Sequence, residues 1–363
     1  MATKSPAIEI EELPEKDAFN NQQLSLFQNF LASGDDSHLS NTIELWDAVP
    51  KYHVTYQRQN SIRKSGFLPT LNHEFQHRQK SYSVSISPAR IRTAKGEIEY
   101  YPGPNEEILE DVLRKMASDA GNGYLDEDRS GVSFSVHALK KELADRGHTR
   151  NFSEINTSLL ILAGCRIELN SDVGEGLYSS AILSSLLGVT RKKLERKPGA
   201  QWYADFSSLV TIGIKKLNYR QFDYQRMLGH KKQLSRWLHK RLAHNYKQAS
   251  RLNTYAIRLT TIERDSGMLP DARASQRLKR VRDTLQELVT DRVLSQWDEA
   301  EERGPRNAIL DVKFTLYTHQ EFDQAVTAAN SRAKANQFRL NEINEKQSAL
   351  PLRQVLDAGG GRS

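Results

Sequence analysis

Two groups of side chains in this sequence have the types and spacing to do chemistry. The first is Arg273, Gln276 and Arg280, with Asp283 and Thr284 further along the same helical face and Arg277 at its edge. Arg and Gln make paired hydrogen bonds to guanine and adenine edges in the major groove of DNA. The second is His73-Glu74-Phe75-Gln76-His77, which fits the H-E-x-x-H pattern of zinc peptidases. There, His73 and His77 would share a helical face and Glu74 would be the general base. Glu97 or Glu99 would supply the third ligand.

The elements that would have to position these groups separate the two readings. Leu278, Val281, Leu285, Leu288 and Val289 recur at helical spacing. They predict an amphipathic helix from about Ala272 to Asp291, with the Arg/Gln face opposite its apolar stripe. Pro270 and Asp271 suit its start. The histidines have no such support. Pro69 and Asn72 stand close before them, and Tyr82, Val84 and Ile86 alternate soon after. No metal or other cofactor is expected. With no P-loop, no dinucleotide-binding glycine pattern and no clustered carboxylates, neither is an enzyme.

Around the long helix the chain reads as a winged helix-turn-helix. Two basic helical segments, Tyr219–Leu228 and Lys231–Tyr246, come first. Apolar Tyr255–Leu259, helical Thr260–Gly267, the long helix and a ribbon from Val293 to Tyr317 follow. In the ribbon Leu310, Val312, Phe314 and Leu316 alternate with polar residues, as in a half-buried strand. Its turn, Arg303-Gly304-Pro305-Arg306, is basic, which suits Arg306 to a phosphate. Lys231, Lys232, Arg236 and Lys240 are expected to meet the DNA backbone, while Trp237, Leu238 and Leu242 face a core.

Charge is spread unevenly over the 363 residues, whose net charge is +7. Residues 1–200 hold 24 Lys/Arg against 27 Asp/Glu, and residues 201–363 hold 28 against 18. Gly213–Arg251 alone has eleven basic residues and one acid, Asp223. That clustering points to a polyanion such as nucleic acid. Cys165, the only cysteine, lies in an apolar run and reads as a buried structural thiol. No hydrophobic signal core and no membrane-spanning run stand out, so a cytoplasmic protein without a membrane partner is expected.

Residues 80–200 read as a second module of the same type. A hairpin (Ser81–Arg90, Ile91–Tyr101) precedes a helix from Asn105 to Asp119, a short strand Val132–Phe134 and a helix Val136–Asp145. Asn151 and Glu154 open the next helix as a capping box. Arg150, Ser153, Asn156 and Thr157 are its candidate DNA contacts, and Arg166–Leu169 with Leu177–Leu187 make a ribbon around Asp172–Gly176. Whether this module reads bases or mainly dimerises stays open. Residues 1–70 are acidic, then Asn/Gln/Ser-rich, with apolar islands at Gln23-Leu24-Ser25-Leu26-Phe27 and at Trp46. The expected fold class is therefore α+β: two tandem winged-helix domains (71–205 and 206–335) between a flexible N-terminal tail (1–70) and a polar C-terminal tail (336–363).

On these residues the chain resembles the TrfA-type plasmid replication initiators, over roughly Ser81–Trp297 and the tail motif. Gln23-Leu24-Ser25-Leu26-Phe27 is similar to that family's sliding-clamp-binding pentapeptide. Phe134-Ser135-Val136-His137-Ala138-Leu139 with Leu159–Ala163 is similar to its first winged helix. Asn218-Tyr219-Arg220 through Trp237–Leu242, then Tyr255–Leu259 and Arg277–Leu288, is similar to its second. The ribbon beyond Trp297 and the segment to Ser363 are longer than that pattern. The resemblance implies an initiator that binds direct repeats (iterons) in double-stranded plasmid origin DNA and helps open an AT-rich stretch. It also implies recruitment of the host replicative helicase, host initiator and sliding clamp, and exchange between dimer and DNA-binding monomer. A transcriptional regulator or autorepressor on the same modules is the alternative, and the zinc peptidase a remote third.

Overall fold

The computed structural model describes residues 39–64, 66–93, 96–118, 122–126, 128–171, 177–188, 201–216, 218–250, 252–270 and 273–358. The pentapeptide Gln23–Phe27 lies outside them, as does the basic run Arg191, Lys192, Lys193, Arg196 and Lys197, which the sequence places in the wing region of the first module.

Residues 39–64, expected to belong to a mobile tail, are instead folded into the first core. They form β1 (Leu39–Ile43), α1 (Glu44–Ala48) and α2 (Tyr56–Arg63). Trp46 is fully buried, and its indole N–H donates to Glu110 Oε1 at 2.6 Å, the partner a buried Trp requires. One hairpin was expected next, but two follow: β2 (Leu71–His77) with β3 (Lys80–Ser87), and β4 (Ala89–Thr93) with β5 (Gly96–Tyr100). Arg78 and Gln79 at the first turn both have positive φ, 48° and 62°. A two-residue hairpin turn needs that, although neither is glycine.

Then come α3 (Pro104–Ser118), β6 (Gly123–Leu125), β7 (Ser130–Ser135), α4 (Val136–Asp145) and α5 (Phe152–Gly164). The Asn151/Glu154 capping box is present at the start of α5, which buries Ile155, Leu159 and Leu162. The ribbon differs from the sequence reading. β8 (Arg166–Ser171) and β9 (Leu177–Ala181) join β2 and β3 in a four-stranded sheet ordered β2-β3-β8-β9. The strand then bends at Ile182. Its continuation, β10 (Leu183–Leu187), pairs with β11 (Gln201–Phe206), which pairs with β7. The long connection of this module therefore lies between β10 and β11. Cys165, at the end of α5, is buried, and burial pushes its thiol up to about 12.

After α6 (Ser208–Lys215), the segment expected as one helix from Tyr219 to Leu228 is a strand, β12 (Tyr219–Asp223), and a short helix, α7 (Tyr224–Gly229). β12 pairs with β1 and buries Tyr219 and Phe222, so tertiary pairing overrides local preference. The second core is built from α8 (Gln233–Asn245), β13 (Tyr255–Arg258), α9 (Leu259–Ser266), α10 (Ala274–Thr290), β14 (Leu294–Arg303) and β15 (Ile309–Thr318). The predicted stripe of α10 is its core face: Leu278, Val281, Leu285 and Leu288 are all buried.

The two cores share part of one arrangement. Both hold a strand after the first helix, two further helices and a closing pair of strands, with the last strand between the other two, β10-β11-β7 and β14-β15-β13. The first unit differs in carrying β6 on the far side of β7 and in inserting β8 and β9, which belong to another sheet. The C-terminal segment was expected as a frayed tail but is one long helix, α11 (Gln320–Ala358). Phe322 and Val326 sit in the second core, and the Asn336 amide donates to the Tyr219 hydroxyl at 3.2 Å. No helix among the described residues is long and apolar enough to cross a membrane.

Candidate nucleic-acid interface

The N-terminal half of α10 presents the exposed basic part of that helix. Arg273, Gln276 and Arg280 are exposed on it, as is Lys279, which sequence reasoning passed over although the same helical projection places it opposite the stripe. Further along this face Asp283 stays exposed, but Glu287 is engaged. Glu287 accepts the Lys231 backbone N–H at 2.8 Å and lies 3.5 Å from Lys232 Nζ, so it braces the start of α8. Two expected contacts need correction. Thr284 is 1% exposed and belongs to the core side of the helix. Arg277 is half-buried, with Nε 2.6 Å from Glu263 Oε1, which ties α10 to α9.

The basic stretch before α8 divides sharply. Lys231 and Lys232 are exposed, although Lys232 Nζ also lies 3.5 Å from the Glu287 carboxylate. Arg236 and Lys240, predicted as phosphate contacts, are 3% and 6% exposed. Arg236 pairs with Glu107 at 3.1 Å, and Lys240 with Asp111 at 2.6 Å and Glu107 at 3.7 Å. Both acids lie on α3 of the first core. Sequence counting found a basic cluster because the neutralising carboxylates lie 129 residues upstream. The network continues through Arg114, which bridges Asp111 and Asp47 at 2.7 Å each. Burial by itself would raise the Asp47 carboxyl, but the Arg114 charge and hydrogen bonds hold it well below the usual carboxylate range. Burial by itself would lower the Lys240 ammonium, but Asp111, Glu107 and Asp47 hold it above its ordinary value. Asp47 and Lys240 therefore stay ionised, and the network of ion pairs joins the two cores.

On the first unit, Ser153 is exposed on α5, while Asn156 and Thr157 are half-buried. Arg150 is partly engaged, donating to Asn105 Oδ1 at 2.6 Å. The ribbon of the second unit is less basic than its turn suggested. β14 carries Asp298, Glu299, Glu301 and Glu302; Arg282 pairs with Glu299 and Arg258 with Glu302, each within 2.7 Å. Arg303 pairs with Glu301. Arg306 stands exposed at the tip with φ 57°.

The H-E-x-x-H segment is the strand β2, not a helix. The His73 ring bonds through Nε2 to the Arg264 carbonyl, and His77 Nε2 lies 3.8 Å from Glu44. Among the described residues, no group of three or more His, Cys, Asp or Glu side chains could hold a metal ion.

No family model matches this chain, and no curated protein does. By shape it is similar to a crystal structure of domains 2 and 3 of RctB, at 10% identity and TM-score 0.48, covering 76% of this chain and 98% of that one. A second structure of RctB domains 2–3 has 10% identity and TM-score 0.42, covering 74% of this chain and 99% of that one. The Pi initiator protein in complex with iteron DNA has 11% identity and TM-score 0.41, covering 65% of this chain and 98% of that one. At these scores the likenesses carry no weight in the functional reading, which rests on the geometry above.

Proposed function

We propose that this chain is a plasmid-type replication initiator: a cytoplasmic, non-catalytic protein that reads direct repeats in double-stranded origin DNA through two winged helices. The observation that carries the reading is the open N-terminal half of α10. It presents Arg273, Gln276, Lys279 and Arg280 from a unit with the winged-helix order of elements. Its helix terminus adds positive potential where a phosphate would approach. The first unit repeats the three-strand arrangement, with β6 added at its edge, which supports α5 as a second reading helix through Ser153, Asn156 and Thr157. Phosphate contacts fall to Lys231, Lys232 and Arg306.

Iterons, origin opening and recruitment of the host helicase and host initiator follow from the TrfA-type resemblance, as does exchange between dimer and monomer. Clamp recruitment through Gln23–Phe27 follows from it too. The test is an anisotropy titration of the full chain against a duplex carrying tandem repeats from DNA beside its own gene. A scrambled duplex of the same composition is the control. The repeats should bind about a thousandfold tighter or better. Equal affinity for both duplexes at every salt concentration would end the proposal.

A further inference from the structure

A cleft of about 880 Å³ runs between the two units, and its walls come from both. One wall is α2, with Thr55, Gln57, Arg58 and Ser61, next to Pro104 at the start of α3. The other holds Lys231 and Lys232 before α8, and Arg280 and Asp283 on α10. Leu234, Met268 and Leu269 also line it. Arg58 is exposed, and its side chain has no carboxylate partner among the described residues. Among the described residues Asp283 is the one acid in this lining, against the exposed cations Arg58, Lys231, Lys232 and Arg280, of which Lys232 also faces Glu287 outside the lining.

The cleft is held at a fixed width. The Gln233 side chain donates to the Tyr52 carbonyl at 2.9 Å across the joint, and Arg236 reaches Glu107 behind it. One candidate reading helix, α10, forms a rim, with Arg280 in the lining. The other, α5, does not line the cleft but is linked to it through Arg150, just before α5, which bonds Asn105, the neighbour of Pro104 in the opposite wall. A duplex lying against both helices must carry its backbone over the space between them.

We propose that this inter-unit cleft is a backbone seat, in which Arg58 from the first unit and Lys231 and Lys232 from the second grip phosphates of the DNA between the two half-sites. The proposal rests on the DNA-binding reading and adds to it a contact element, α2, that carries no reading helix. Phosphates fit the seat because its donors are charged and flexible and offer no paired geometry for a base edge.

The experiment is a set of salt-series anisotropy titrations on the repeat duplex and its scramble. It uses the full chain, Arg58→Ala, Arg58→Lys, Arg58→Glu, the double variant Lys231→Ala/Lys232→Ala, and Arg92→Ala as a distant exposed control. Each lost phosphate contact should lower the slope of log K against log salt by about 0.9, which is about fivefold in affinity near 0.15 M salt. Arg58→Ala should therefore lose about one unit of slope on both duplexes and keep its preference for the repeats. Arg58→Lys should retain most of the slope, Arg58→Glu should lose more than Arg58→Ala, and Arg92→Ala should match wild type. Hydroxyl-radical cleavage should show protection of the backbone between half-sites that Arg58→Ala removes. If wild type prefers the repeats but Arg58→Ala keeps the full slope and the footprint, the cleft is not the seat and the initiator reading stands. If wild type shows no preference, both fall together.

Discussion

Replacing Lys240 by Ala should unfold the protein more readily while sparing the chemistry of DNA contact. Lys240 is 6% exposed and lies between Asp111 and Glu107, which are 3% and 5% exposed. Removing the ammonium leaves those carboxylates buried with less positive charge, a loss of about 3–5 kcal/mol for a broken buried pair. For a cooperative unit of 150–250 residues, about 2–4 °C accompanies each kcal/mol, so the melting temperature should fall by roughly 6–20 °C. High salt should leave most of that difference in place, because buried charges are poorly screened. Adding Asp111→Asn to Lys240→Met should recover part of the loss, since fewer uncompensated charges remain. Thermal melts and urea titrations measure the stability, and anisotropy at several salt concentrations measures DNA contact. A Lys240→Ala protein that melts with wild type and loses about 0.9 of the salt slope would refute this reasoning. It would return Lys240 to the phosphate contacts.

Four further outcomes are expected. Arg280→Ala should lose about 1–3 kcal/mol of specific binding and relax base preference at one position, read by titration against single-base variants of the repeat; unchanged preference would remove α10 from base readout. Stability should fall as pH drops below 6.5. Burial lowers His53 to about 4 and His244 to about 3. The unfolded chain therefore binds more protons than the folded one from pH 6.5 down to those values, at a cost of about 2 kcal/mol per histidine by pH 5; a flat urea midpoint from pH 7 to 5 would contradict this. His73 and His77 should bind no zinc, since they sit on a strand and His73 is bonded to a backbone carbonyl; stoichiometric zinc lost on His77→Ala would reverse that. Leu26→Ala with Phe27→Ala should abolish capture of the bacterial sliding clamp without moving the melting temperature; a lower melting temperature with clamp capture intact would assign those side chains to the protein's own core.

Local rules carried the second unit well. The α10 stripe, the alternation along β15 from Val312 to Leu316 and the order of its elements follow from periodicity, because each element buries one face against a single core. At the start of β15 the reading fails, with Leu310 66% exposed and Asp311 buried. The Asn151/Glu154 cap was equally legible, being complete within four residues. What local rules missed depends on partners remote in sequence. Tyr219–Asp223 is a strand because β1 pairs with it across about 180 intervening residues. Residues 39–64 read as a tail because Trp46 finds its place only beside Glu110. The first ribbon was misplaced because one continuous stretch, Leu177–Leu187, serves two sheets and changes partner at Ile182.

Arg236 and Lys240 carry a lesson about reading charge. On α8 they stand four residues apart, and on α3 their partners Glu107 and Asp111 also stand four apart. Residues at that interval share a helical face, so two matched ladders of opposite sign meet across the joint. A basic cluster in sequence can thus be a phosphate surface or half of such a ladder. Burial separates them: Lys231 and Lys232 stay wet while Arg236 and Lys240, one and two turns on, go dry. The dry pair adds little net attraction for DNA, because each cation has its own anion. Its effect is on register. Sliding α8 by one turn along α3 would leave one cation and one carboxylate unmatched in the interior, each a cost of several kcal/mol. The ladder therefore selects one relative placement of the two cores, and with it one spacing between α5 and α10. A protein that reads two half-sites of fixed separation needs that rigidity.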